Sequence, residues 1–136
     1  MTDFNTQVIE EFRANAGKVG GPFQGADMVL MTATGAKSGN EHTNPVVYFH
    51  DGDRIYVIAS AGGSPKHPAW YHNLVAHPDL TVEVGTDKYR ARAVPVDDDA
   101  ERDRLFAHAV SVMPGFGEYE AKADGRRIPV VHLDRV

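Results

Sequence analysis

Short apolar runs broken by glycine, proline and aspartate make up most of this chain, and the pattern predicts a strand-rich fold with a few helices. Phe4, Val8, Ile9 and Phe12 recur at helical spacing with Glu10, Glu11 and Arg13 between them, so Asp3 to Ala16 reads as an amphipathic helix that packs on the domain or covers a pocket. Gly17, Gly20, Gly21 and Pro22 end it. Ala26 to Ala33 is a short apolar run between turn residues, which suits a buried strand. Thr34 to Asn44 reads as a polar loop, and Pro45 to His50 as the next strand. Asp51-Gly52 is a strong hairpin signal joining that strand to Arg54–Ser60. Gly62-Gly63 stops it, and Pro65 and Pro68 hold the chain out of helix until Pro68 opens a short one over Ala69 to Ala76. Leu80–Val84 and Tyr89–Val96 alternate apolar and polar residues around a Gly85-Thr86-Asp87 turn, a second hairpin.

Asp97, Asp98, Asp99 and Glu101 place negative charge at the start of the next helix, as its dipole favours. The apolar positions of that helix are Leu105, Phe106, Ala109, Val110 and Met113, and Pro114-Gly115 breaks it. Phe116 to Ala123 is expected to add a short helical segment, and Ile128 to Leu133 a last strand. Six strands in hairpin order with helices between them point to an α+β, mainly β fold, a small antiparallel barrel with its ligand groove alongside.

Composition narrows the functional classes. The 136 residues, 42% of them hydrophobic, suit one domain spanning residues 1–136. Without cysteine, disulfides and thiolate metal sites are excluded, and a cytoplasmic location is the default. No bilayer-spanning run and no secretory signal pattern are expected. A net charge of -5 argues against a nucleic-acid partner, while leaving room for a local basic pocket that takes an anionic small molecule.

Candidate chemistry lies in two loops. Thr34 to Pro45 offers backbone amides, hydroxyls, the fixed cation Lys37 and the titratable His42, a set able to cradle phosphate or carboxylate. On these residues alone a solvated connection between strands is the commoner use, and the glycine spacing is not that of a Walker loop. Ala59 to Leu74 joins a strand end, a glycine loop and the start of a helix bearing the only Trp of the chain. Trp70 and Tyr71 are as single residues ordinary core aromatics; next to Gly62-Gly63 and two prolines they suit the wall of a planar-ring pocket. His67, His72 and His77 are spaced by five, which puts them on different helix faces, so no metal site is expected. There is no Gly-x-Ser-x-Gly elbow either. Enzymatic chemistry would then come from a bound organic cofactor.

Four segments resemble the deazaflavin-dependent nitroreductase family, small actinobacterial proteins that use coenzyme F420. They are Glu11–Asn15 with Gly17–Gly21; Thr34–Gly39 with Thr43 and Pro45; Ala59-Ser60 with Gly62-Gly63 and His67–Leu74; and Ile128–Val131. The resemblance implies a six-stranded antiparallel split β-barrel with flanking helices, like that of the pyridoxamine-phosphate oxidases. It implies that Ala36, Lys37, Ser38, His42, Thr43, Asn44 and Pro45 hold the cofactor's phosphate and acidic tail. Ala59, Ser60 and Ala61 would line the deazaflavin ring, with Ala69, Trp70, Tyr71 and Asn73 bracing it from the other side. Hydride would pass from reduced F420 to a quinone, nitroaromatic or other planar electrophilic acceptor. Ser60 is the leading candidate for a catalytic hydroxyl that polarises the acceptor, with Tyr48 and Tyr119 behind it.

There are three departures from the family pattern, two single positions and the segment Met113–Tyr119. Many relatives carry Arg at His42 and Lys at Ala61, and each lost charge-assisted hydrogen bond costs about 1.5–3 kcal/mol, about ten- to a hundredfold in affinity. An imidazole at position 42 would also make binding stronger when protonated. Met113 and Phe116 lie where nitroimidazole-reducing relatives are richer in tyrosine, which favours quinones. Rival readings are a flavin mononucleotide- or haem-binding barrel, and a protein that binds F420 or a lipophilic ligand without turnover. A quinone acceptor would bring a soluble protein to the inner face of the cell membrane, although Glu10 and Glu11 do not make the first helix a basic membrane anchor. The oligomeric state stays open, with a monomer favoured.

Overall fold

The computed structural model describes residues 4–18, 27–59, 67–114 and 128–136, and of Phe4 and Asn5 the backbone only. In chain order the elements are α1 (Phe4–Ala14), β1 (Met28–Thr34), β2 (Glu41–Asp51), β3 (Arg54–Ile58), α2 (Ala69–Ala76), β4 (Asp79–Val84), β5 (Asp87–Pro95), α3 (Asp99–Val112) and β6 (Val130–Arg135). The six strands close an antiparallel barrel in the order β1-β2-β3-β6-β5-β4. The expected helix over Phe116–Ala123, the Gly62-Gly63 loop, Ser60, Ala61 and Tyr119 lie outside the described residues. No described helix is long and apolar enough to cross a membrane.

Alternation along the strands sorts the apolar residues into three clusters. Val29, Met31 and Ala33 of β1 join Tyr48, Val57, Leu80, Val82, Ala91, Ala93, Val131 and Leu133 in the barrel interior. Met28 and Leu30, the alternate positions of β1, pack outward against Val8 and Phe12 of α1. This explains why β1 reads as one continuous apolar run: both of its faces are covered. Phe49, Tyr56, Ile58 and Val130 pack outward against Leu105, Phe106 and Ala109 of α3. Leu74 of α2 is buried with the interior cluster, so this short helix covers part of the barrel.

Most strand ends differ from the sequence expectation by a residue or two, and the start of β2 differs by more. β2 starts at Glu41 rather than Pro45, because the polar residues Glu41 to Asn44 pair with Thr34 to Met31 of β1. Polarity suggested a loop, but only partial burial is asked of this end of the strand. Pro45 costs no ladder bond toward β3, whose pairing with β2 runs from Tyr48 to Asp51. β6 starts at Val130 rather than Ile128 and continues to Arg135, which pairs with Ala91. Ile128 is fully buried beneath α3 without being part of the strand.

Helix α3 is capped as its acidic start predicts. Asp98 accepts a 2.9 Å hydrogen bond from the Glu101 N–H. A polar clasp then fixes α3 to the barrel. His132 is 3% exposed, and its Nε2 lies 3.1 Å from Asp51 Oδ2. A carboxylate only accepts, so Nε2 carries the proton. Arg104 of α3 donates to Asp51 Oδ1 at 3.2 Å and also pairs with Glu101. Arg102, 5% exposed, donates from Nε to the Ile128 carbonyl at 3.0 Å and lies over the Phe106 ring.

Among the described residues, glycines mark a close backbone crossing at one turn and open space at another. A Cβ on Gly17 would sit 2.6 Å from Gly85 Cα, so the end of α1 meets the β4–β5 turn backbone to backbone. Gly17 and Gly85 also have positive φ, at 92° and 59°. Gly52, in the β2–β3 turn with φ 62°, has open space where a side chain would go.

The His132 hydrogen bond is the main cause holding the Asp51 carboxyl below the usual carboxylate range; burial opposes it and Arg104 adds to the lowering. A carboxyl lowered in the folded state contributes stability above its unfolded pKa and loses it as pH falls through the folded value. Asp51→Asn is expected to cost about 1 kcal/mol at neutral pH and to reduce the loss of stability on acidification below about pH 4. Urea midpoints across that range measure both effects, and equal acid sensitivity in the two proteins would contradict the assignment.

Candidate functional site

Residues 35–40, between β1 and β2, form a compact loop tied to α2. The Gly35 N–H donates to the Asn40 carbonyl at 2.7 Å, and the Gly39 N–H to the Gly35 carbonyl at 3.0 Å. Gly39 has φ 74°, a left-handed conformation that glycine adopts without strain. Gly35 is needed for space: a Cβ there would lie 2.5 Å from Ser38 Oγ and 2.9 Å from His42 Nε2. Ser38 Oγ accepts from the Asn40 N–H at 3.1 Å and lies 3.3 Å from His42 Nε2. The Ala36 N–H donates to Asn73 Oδ1 at 2.9 Å, which links the loop to the helix.

A cavity of about 490 Å³ lies between these two elements. From the loop and β2 it is lined by Gly35, Ala36, Lys37, Ser38, His42 and Asn44. Spacing by two puts His42 and Asn44 on one face of the strand. From α2 come Ala69, Trp70, His72 and Asn73. Ala69, His72 and Asn73 follow the i, i+3, i+4 spacing of one helix face. The first turn of α2 holds no acidic residue, so its positive dipole end is left uncompensated on this side. Among the described residues, the lining contains one ammonium, two imidazoles and no carboxylate. Its volume is within the range of small-molecule and cofactor sites, about 300–1,000 Å³.

A second cavity, about 590 Å³, lies at the other end of the barrel beside the β2–β3 and β4–β5 turns. Although larger, it has its charges matched internally: Arg54 binds Asp134 through two 2.9 Å hydrogen bonds. Arg135 pairs with Asp87 at 3.3 Å and lies over the Tyr89 ring. Its aspartates outnumber its arginines, so it suits an anion poorly.

The structure brings together Ala36, Lys37, Ser38, His42, Asn44, Ala69, Trp70 and Asn73 of the expected binding set. Thr43 instead points to Thr32, with the two hydroxyl oxygens 2.8 Å apart. Pro45 pairs with Leu30, and Ala59 is buried with its N–H donating to the Pro129 carbonyl. Tyr71 packs on the interior cluster and against the His67 ring, 4.8 Å away. Trp70 packs on that cluster too while lining the cavity, so it is both core and wall. Tyr48 is not brought to this site. It sits in the barrel interior six residues beyond His42, about 20 Å along an extended strand. Burial, then the nearby Asp27 charge, push its hydroxyl pKa up, so it stays protonated. Gly35 and His72 also line the cavity; sequence reasoning placed them inside the two candidate segments without singling either out, and the i+3 spacing of His72 from Ala69 was the usable signal. Among the described residues, no group of three or more His, Cys, Asp or Glu is placed to hold a metal ion.

Residues 5–135 match the model of the F420H(2)-dependent quinone reductase family. The chain belongs to this family. An F420H(2)-dependent quinone reductase of Mycobacterium tuberculosis is 35% identical over 127 residues, covering 91% of this chain and 85% of that protein. A solved F420-H2 dependent reductase, FDR-A, superposes with a TM-score of 0.70 at 35% identity, over 79% of this chain and 94% of the other. A solved pyridoxamine 5'-phosphate oxidase-type protein from Listeria innocua, 13% identical with a TM-score of 0.57 over 80% of this chain and 83% of the other, shares the fold. The split-barrel expectation therefore holds, and the protein is an F420H2-dependent oxidoreductase with coenzyme F420 as its cofactor. The flavin and haem alternatives gain no support from the family.

The Asn73–Ala36 link is open to direct test. Asn73→Ala leaves the Ala36 amide without its acceptor, and its hydrogen exchange should quicken about tenfold, the equivalent of one hydrogen bond. Unchanged exchange at Ala36 would show that the loop is held by other contacts.

Proposed function

We propose that the cavity between the β1–β2 loop and α2 holds the anionic part of F420, in one deazaflavin-binding domain spanning residues 1–136. The observation that carries this reading is the described lining: Lys37, His42 and His72 with no carboxylate among the described residues, in a chain of net charge -5. A phosphate and an acidic tail suit that charge pattern, and Ser38 and Asn44 supply further hydrogen-bonding groups. Trp70 offers an aromatic wall beside the anion subsite. When bound, reduced F420 supplies a hydride, two electrons in one step, from a carbon that replaces a flavin nitrogen.

The chain's part is then to bind, orient and exclude water rather than to provide a strong acid. β3 runs back along β2 toward the cavity end of the barrel, and Ser60 follows its last residues in sequence. Its hydroxyl is assigned to polarise the acceptor oxygen where negative charge develops. The acceptor is a planar electrophile, a quinone first and a nitroaromatic second. A lipophilic quinone would draw the protein from the cytoplasm to the membrane surface. Tyr48 is given no role in this scheme.

Titration with oxidised F420, followed by the cofactor's fluorescence, tests the pocket. Wild type should bind in the micromolar range or tighter, and Lys37→Ala about tenfold more weakly, the loss of one charge-assisted contact. Equal affinity in the two proteins would remove Lys37 from the anion subsite. Ser60→Ala should bind F420 normally but reduce menadione turnover at least about tenfold, within the range known for lost oxyanion-type donors. Unchanged turnover would end that assignment.

A further inference from the structure

We propose that His42 and His72 make F420 binding proton-linked, so that the pocket tightens on its anionic ligand as pH falls from mildly alkaline to mildly acidic. The inference rests on the pocket assignment above and adds its regulation. Two imidazoles and one ammonium are the only ionisable side chains of the described lining. Lys37 gives a charge that is constant across the physiological range, whereas an imidazole ordinarily changes charge between about pH 5 and pH 8. The fixed charge of the site is therefore about +1 at its alkaline limit, and each protonated imidazole adds to it.

The surroundings let both rings charge without disrupting the fold. His42 and His72 are exposed. His42 Nε2 lies 3.3 Å from Ser38 Oγ, an oxygen that can accept from it in either ionisation state. The Ser38 oxygen is already oriented by the Asn40 N–H, so the contact is preformed. Glu41 adjoins His42 but falls on the alternate face of β2, and the β1 partner of His42 is the apolar Ala33. Lys37 is the like charge that His42 faces within the cavity. His72 faces His67, whose ring centroid is 5.7 Å away, and Tyr71 at 5.9 Å.

Linkage fixes a reciprocal consequence. If protonation of His42 strengthens anion binding, bound F420 must raise the proton affinity of His42 by the same factor. This separates the idea from simple screening, which would act on affinity without selecting one ring.

The experiment is equilibrium binding of F420 by calorimetry at steps from about pH 5.5 to pH 8.5, in constant ionic strength, for wild type, His42→Gln/His72→Gln and His42→Arg. F420 carries its own ionisable groups, and their contribution is common to all three proteins. Wild type should bind about tenfold more tightly at the acidic end than the double variant's own pH dependence accounts for. His42→Arg should remain tight at the alkaline end. In parallel, the His42 ring resonances should titrate at higher pH with F420 present than without it. Identical pH dependence in wild type and the double variant, or a His42 titration indifferent to F420, overturns the inference while leaving the pocket assignment standing. Absence of F420 binding at every pH overturns the pocket assignment and the inference together.

Discussion

Closure of the barrel depends on β6, the last strand of the chain, which pairs with β3 on one side and β5 on the other. Without it the β1-β2-β3 and β5-β4 halves would be joined only through β1 and β4, and two strand edges would be bare. The contacts β6 makes are far apart in sequence: Ile55 pairs with Leu133 and Ala91 with Arg135. Their loop-closure entropy is met only once most of the chain is in place, so the fold is one of high contact order. The clasp of His132, Asp51 and Arg104 sits where β6 has to be held against the β2–β3 hairpin and α3.

A closed barrel leaves its chemistry to the ends and edges. Its interior is filled by side chains such as Val29, Val57 and Leu133. The usable concavity lies where the β1–β2 loop meets α2, and the Asn73 amide joins those two walls through one hydrogen bond. The electrostatic character of that place runs against the molecule as a whole. In a chain of net charge -5, the described lining of this small pocket carries no carboxylate, a local exception that suits an anionic ligand.

The strands were legible because their patterns are forced by burial. Leu80–Val84 alternates since β4 has one inward face, and Asp51-Gly52 turns the chain where a hairpin must. The start of β2 was not legible, because Glu41 to Asn44 pair through backbone groups that carry no signature in side-chain polarity. Arg102 was hidden for a related reason: its burial depends on the Ile128 carbonyl and the Phe106 ring, a partnership no local pattern announces. At the site, Lys37, His42 and Asn73 were found through family resemblance and loop chemistry. Gly35 and His72 needed three-dimensional neighbours to acquire meaning.

The Gly17–Gly85 crossing reverses the usual advice for handling hairpin turns. Exposed turn tips are ordinarily where a chain accepts insertions and labels most readily. Here the β4–β5 tip is the seat on which the end of α1 rests, so a peptide tag or fluorophore placed there would lever the helix off Met28 and Leu30. The β2–β3 tip at Gly52 has open space where a side chain would go and lies at the barrel end away from the cavity between the β1–β2 loop and α2. For tethering this protein to a surface or an electrode, that turn is the natural handle.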